Sequence, residues 1–181
     1  FENVFGERFD FFSSIFEYLI KDYNSNTGGS YAEYFTPHSV AKIISNCLVN
    51  SKIKNVSCYD PSAGSGTLLL SLANNIGTNN CTIYSQDISQ KSSQLLRLNL
   101  ILNNLVHSLQ NVIEGNTLDS PYHKDKDTNL KKFDYIVSNP PFKLDFSDFR
   151  ENLETKENND RFFAGIPQIK KKNLEQMEIY L

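Results

Sequence analysis

The chain has 181 residues, 39% of them hydrophobic and 22% charged, with a net charge of −3. That length allows one domain with a sizeable core, while the charge balance leaves no overall basic footprint, so contact with a polynucleotide must be local or come from a partner. No apolar run is long enough to span a bilayer and no secretory signal is evident; Cys47, Cys58 and Cys81 form no metal-ligand pattern and are expected to stay reduced, which fits the cytoplasm.

Residues 4–23 place Phe5, Phe9, Phe12, Phe16, Leu19 and Ile20 on one helical stripe. This reads as the last helix of a helical domain over residues 1–27. The Asn-, Ser- and Gly-rich stretch 24–30 is a loop, and 31–35 is extended. Thr36 and Pro37 are expected as N-cap and first residue of a helix carrying Val40, Ile43, Ile44 and Leu48 to about Asn50. A short strand follows at Val56–Tyr59, a turn at Asp60–Gly66 and a helix at Thr67–Ile76. Then come a strand at Thr82–Ser85, an apolar helix at Ser89–Leu105 (Leu95, Leu96, Leu98, Leu102, Leu105), a strand at Asn111–Ile113 and a strand at Phe133–Ser138. Alternation of this kind predicts an α/β fold: a doubly wound, mostly parallel sheet with helices on both faces and functional loops at the carboxyl ends of its strands. Four strands make the first half of such a sheet. Opening on Phe1 and stopping at Leu181 inside a starting helix, the sequence reads as a piece truncated at its C-terminal end. The polar stretch Lys143–Gln168 is expected to be a long loop beside the site.

Asn139-Pro140-Pro141-Phe142 ends the fourth strand, because two prolines can neither donate to a ladder nor continue one. It leaves an amide side chain, an acceptor-only carbonyl on Pro140 and an aromatic ring together, a set suited to a planar amino group and the ring that carries it. Asp60-Pro61-Ser62-Ala63-Gly64-Ser65-Gly66-Thr67 joins the first strand to its helix, with Gly64 and Gly66 allowing close backbone approach. Asp87 follows at the end of the next strand, where doubly wound nucleotide-binding folds keep an acid for ribose hydroxyls. Leu69 stands where a dinucleotide fingerprint has its third glycine, and no Lys-Ser/Thr pair marks a P-loop. Asp60 at the mouth of the turn repels a pyrophosphate and welcomes a cation, so S-adenosylmethionine, with its ammonium, sulfonium and ribose, suits the two acids better. Each motif alone also has a plain structural reading: a strand-ending turn, a tight strand–helix turn, an N-cap pair.

Together the motifs resemble a class I methyltransferase of the amino-group DNA type, and specifically the methylation subunit of type I restriction–modification systems, an adenine-N6 DNA methyltransferase. The resemblance rests on Tyr34-Phe35-Thr36-Pro37, the glycine turn, Gln86-Asp87-Ile88 and Asn139-Pro140-Pro141-Phe142 in that order, with a weaker match at Gly115-Asn116-Thr117-Leu118, where an acid is usual in place of Asn116. It implies a methyltransferase domain over residues 28–181 that uses S-adenosylmethionine and no metal. Tyr34, Phe35, Thr36 and Pro37 would line the methionine end; Asp60, Gly64, Ser65 and Gly66 would frame the cationic end. Asp87 would bind the ribose, with Ile88 on one side of the adenine ring and Asn116 or Leu118 on the other. Asn139 and Pro140 would supply two acceptors to the target amino group, with Pro141 and Phe142 completing the catalytic motif. The implied partners are double-stranded DNA with a flipped adenine, a specificity (S) subunit and a restriction (R) subunit. Asp160-Arg161-Phe162-Phe163-Ala164-Gly165-Ile166-Pro167 is similar to the family segment entering the next helix. Two alternatives stand: a methyltransferase for a glutamine side chain or a ribosomal RNA guanine, and an inactive piece that binds cofactor or subunits.

Overall fold

A computed structural model describes residues 15, 18, 36–49, 53–141, 150–155, 161–163, 165 and 166. Of the predicted N-terminal helix only Ile15 and Tyr18 fall among these, both helical and both exposed; they lie off the predicted apolar stripe. The elements in chain order are α1 (His38–Leu48), β1 (Val56–Asp60), α2 (Thr67–Ile76), β2 (Cys81–Asp87), α3 (Gln90–Leu102), a 3-10 turn (Val106–Asn111), β3 (Val112–Glu114), β4 (Tyr135–Ile136) and the short α4 (Arg150–Leu153).

The four strands form one sheet in the order β3-β2-β1-β4, every neighbouring pair parallel. The steps from β1 to β2 and from β2 to β3 run the same way across the sheet, so right-handed crossovers put α2 and α3 on one face. Cys58 and Ile83 from the sheet, Leu69 and Leu72 from α2, and Leu96 and Leu100 from α3 are fully or almost fully buried in one core there. The step from β3 back to β4 must cross the opposite face. Among the described residues that crossover carries no helix. Aromatic rings line that face instead, with Tyr59 stacked on Phe133 at 4.5 Å between centroids and His123 edge-on to Tyr59 and Tyr84 at 5.4 and 5.3 Å.

Several element ends move from their predicted places for local reasons. Pro37, not Thr36, is the N-cap of α1, and no side chain caps that helix. The packed face of α1 carries Ala41 and Ser45, whose small side chains let it approach α2 through the Ser45–Ser71 hydroxyl pair at 2.9 Å. Val40, Ile43 and Leu48 are exposed. Helix α3 stops at Leu102 because Asn104 turns left-handed at φ 60°, a conformation asparagine tolerates. Strand β4 shrinks to two ladder residues, yet Asp134 extends the join by accepting from the Ser57 amide and hydroxyl, both at 2.8 Å. Those bonds hold its carboxyl below the usual range. The thiols of Cys58 and Cys81, apart in sequence, meet on neighbouring strands, and that hydrogen bond together with burial pushes the Cys58 thiol far up. Both remain free thiols. No helix among the described residues is long and apolar enough to cross a membrane.

Candidate active site

Strand β1 is the point where the chain order reverses, with β2 on one side and β4 on the other. Such a switch point opens a crevice at the carboxyl ends of the strands. The loops leaving β1, β2, β3 and β4 there are the glycine turn, Asp87-Ile88, Gly115–Ser120 and Ser138–Pro141.

The glycine turn is held by side chains from neighbouring elements. Asp87 accepts from the Gly64 amide through one carboxylate oxygen and from the Ser89 amide through the other, both at 2.8 Å. Asn99, buried on the core face of α3, donates to the Ser65 carbonyl at 2.9 Å. This explains an asparagine among the leucines of that helix. Ser65 is itself buried, its hydroxyl 3.3 Å from that of Thr67. Gly64 and Gly66 both take left-handed φ values, 54° and 86°, and a Cβ on Gly66 would lie 2.2 Å from Leu96 Cδ1. Gly66 therefore serves the close approach of α3 to the turn, while the Gly64 amide belongs to Asp87.

Asp60 ends β1 with 2% of its surface exposed. Burial pushes its carboxyl up to about 7, against the opposing pull of the Ser62 amide; the nearby charge of Asp87 adds to the rise. Ser62 donates its amide to Asp60 at 2.9 Å and shares a hydrogen bond with the Ser138 hydroxyl at 2.7 Å. The glycine turn is thus hooked directly to the residue preceding Asn139. Asn139 is exposed, and its Nδ2 donates to the Thr36 hydroxyl at 3.1 Å.

The third loop is anchored by residues that stand in the quoted motifs but had no role assigned to them. Thr117 donates to the Pro61 carbonyl at 2.6 Å. Arg161 donates to the carbonyls of Thr117 and Leu118, each at 3.0 Å, and desolvation lowers its pKa. Buried Gln86 donates to the Ser120 carbonyl at 2.8 Å and accepts from the Tyr122 amide at 3.0 Å. The Asn116 Oδ1 accepts from the Leu118 amide at 3.0 Å, closing its own turn. Gln86 stood beside Asp87 in the sequence, but nothing in a strand pattern distinguishes a bracing glutamine from a solvated one. Tyr34, Phe35 and Phe142 lie outside the described residues, so their predicted places at the site are not part of this geometry.

The donor set fits S-adenosylmethionine. Neither Asp60 nor Asp87 has a basic partner among the described residues, so no protein cation there competes with a cationic ligand for the two acids. Ile88 follows Asp87 with 67% of its surface exposed, an apolar ledge beside that carboxylate. Among the described residues no group of His, Cys, Asp and Glu could hold a metal ion.

This sheet order and these loops define a class I methyltransferase domain, the fold that takes S-adenosylmethionine as methyl donor. The sequence profile of the N-6 DNA Methylase family matches residues 7–180, and the chain belongs to that family. It is 32% identical over 151 residues to the type I restriction enzyme MpnII methylase subunit of Mycoplasma pneumoniae, covering 80% of this chain and 28% of that one. It is 34% identical over 122 residues to the release factor glutamine methyltransferase of Flavobacterium psychrophilum, covering 67% of this chain and 36% of the relative. Among solved structures, the methyltransferase subunit of a type I restriction–modification system from Streptococcus thermophilus superposes with a TM-score of 0.55 at 26% identity, over 65% of this chain and 25% of that one. The chain spans roughly a third or less of the length of these curated relatives.

Proposed function

We propose that this chain is the cofactor- and base-handling part of an adenine-specific DNA methyltransferase, which transfers a methyl group from S-adenosylmethionine to adenine N6 within a type I restriction–modification complex. The observation that carries this reading is the position of Asn139-Pro140-Pro141 at the carboxyl end of β4, one strand from the glycine turn and hooked to it through Ser62 and Ser138 at 2.7 Å.

When bound, S-adenosylmethionine supplies a methyl group already activated on a cationic sulfur. The tasks left to the chain are alignment and electrostatics. Asp60 and the Gly64–Gly66 turn frame the cationic end, and Thr36 and Pro37 are assigned to the methionine end, a role the motif extends to Tyr34 and Phe35. Asp87 keeps lone pairs for the ribose after accepting two amides, and Ile88 and Leu118 offer apolar surface to the adenine. Asn116 spends one acceptor position on its own turn, leaving its Nδ2 as the donor to a ring nitrogen. An adenine amino group is a poor nucleophile because its lone pair is delocalised into the ring. The Asn139 Oδ1 and the Pro140 carbonyl accept its two hydrogens, draw the nitrogen toward tetrahedral geometry and stabilise the positive charge that develops. Pro141 contributes no N–H, so no backbone donor competes at that peptide. Because the target nitrogen is out of reach in a duplex, the base is flipped out of the stack. Phe142 stacks on it, an interaction worth about 1–3 kcal/mol.

The partners in this reading are double-stranded DNA, a specificity subunit that reads the target and a restriction subunit, in the cytoplasm. The test is Asn139→Ala in the full-length methylase complex: methyl transfer to DNA is expected to vanish while S-adenosylmethionine affinity, measured calorimetrically, stays about the same. Equal loss of both refutes the catalytic role. The 34% identity to a release factor glutamine methyltransferase favours a second reading, in which the planar nitrogen is a glutamine amide. Labelled-methyl assays with duplex DNA and with release factor separate the two, and transfer to release factor alone replaces the first.

A further inference from the structure

We propose that Thr36 is the positioning residue of the catalytic amide: its hydroxyl holds Nδ2 of Asn139 and thereby turns Oδ1 toward the target amino group. The inference rests on the reading of Asn139 given above.

An asparagine side chain has an acceptor end and a donor end of nearly the same shape. Only the acceptor end helps an amino group that must give up hydrogens, and the donor end pointed at it is repulsive. Asn139 is exposed at the end of a strand only two ladder residues long, so the ladder does not decide which end faces the substrate. The Ser138–Ser62 hydroxyl contact at 2.7 Å fixes the backbone one residue earlier, and it leaves the amide free to rotate. The Thr36 hydroxyl, 3.1 Å from Nδ2, accepts from it; once its proton is engaged by the methionine carboxylate of a bound cofactor it can only accept, and it then selects the orientation with Oδ1 toward the substrate. Helix α1 makes no use of that hydroxyl, since Pro37 is the N-cap and its carbonyl starts the helix by accepting from the Val40 and Ala41 amides. Thr36 thus lies just outside a helix it does not cap and bonds to a residue 103 positions away. Its predicted role, contact with the methionine end of the cofactor, uses the proton of the hydroxyl. Holding Nδ2 uses a lone pair. The two roles are compatible and separable by measurement.

The test compares Thr36→Val, which keeps the shape and loses the hydroxyl, with Thr36→Ser, which keeps the hydroxyl, in the full-length methylase complex on duplex DNA. With cofactor saturating, so that any affinity lost at the methionine end does not limit the rate, Thr36→Val is expected to slow single-turnover methyl transfer about fivefold, the worth of one neutral hydrogen bond; Thr36→Ser should restore most of the rate. In asparagine-labelled protein without cofactor, the Asn139 side-chain NH2 resonances should shift and exchange faster with water in Thr36→Val than in wild type or Thr36→Ser. An unchanged rate, a loss confined to cofactor affinity, a serine variant as slow as valine, or unchanged Asn139 resonances each overturns the proposal. Asn139→Ala run alongside keeps the two levels distinct. If that variant still methylates DNA, the catalytic reading itself fails. If it is inactive while Thr36→Val is fast, only the positioning role fails.

Discussion

At the scale of single residues, the site is built on atoms whose ordinary preferences are opposed by their surroundings. Asp60 is the clearest. Its carboxyl titrates near 4 in an unfolded chain and at about 7 in the folded one, so between those values the native state holds the extra proton. Its contribution to stability is therefore present below about pH 4 and lost as pH rises through about 7. Denaturant melts of the wild type across that window are expected to show the decline, and Asp60→Asn should flatten it. A cationic ligand beside Asp60 favours the charged form, so S-adenosylmethionine binding at about pH 6 should release protons. Calorimetry in two buffers of different ionisation enthalpy measures this, and binding without proton release would separate Asp60 from the cationic end. Gly66 illustrates a second opposition. Gly66→Ala forces a left-handed φ of +86° on alanine and drives a methyl into Leu96, at an expected cost of about 1–3 kcal/mol in urea melts. Combined with Leu96→Ala, part of that cost should disappear, which isolates the steric share from the backbone share. The sequence motif made Gly66 conspicuous, but only the packing of α3 reveals that its neighbour is a leucine.

At the scale of elements, the alternation of strands and helices was legible to within a few residues, and the site loops emerge where the pattern put them. What was hidden has a common cause: side chains acting on backbone far away in sequence. Asn99 on α3 supports the Ser65 carbonyl and Gln86 on β2 braces the crossover, yet periodicity treats both as polar interruptions. Arg161 is another. Its guanidinium closes the Gly115–Ser120 loop by two carbonyl bonds, a geometry lysine cannot reproduce. Arg161→Lys should therefore speed amide hydrogen exchange in residues 117–120 and weaken S-adenosylmethionine binding several-fold, with the exchange at β1 unchanged. The apolar residues of α1 mark a partial converse error: of the expected Val40, Ile43, Ile44 and Leu48 only Ile44 packs against the core, while the small Ala41 and Ser45 are the buried residues of the helix.

At the scale of the whole molecule, the sheet divides into a well-braced centre and light edges. β1 and β2 pair along five residues, whereas β4 pairs along two and β3 along three. Native-state hydrogen exchange should accordingly be slowest in β1 and β2 and fastest in β4; a β4 as protected as β1 would contradict this. The strand that carries Asn139 is thus the lightest one, held by Asp134, Ser138 and Asn139 more than by its ladder. Its adjacency to β1 has a further consequence. Neighbouring strands stand about 4.8 Å apart, so on the proposed reading the loop framing the methyl donor and the loop receiving the acceptor nitrogen depart from the sheet one strand spacing apart. On that reading, the pitch of the sheet sets how far apart the donor loop and the acceptor loop start. Changes in the outlying loops can exchange one planar nitrogen for another while that ruler stays the same.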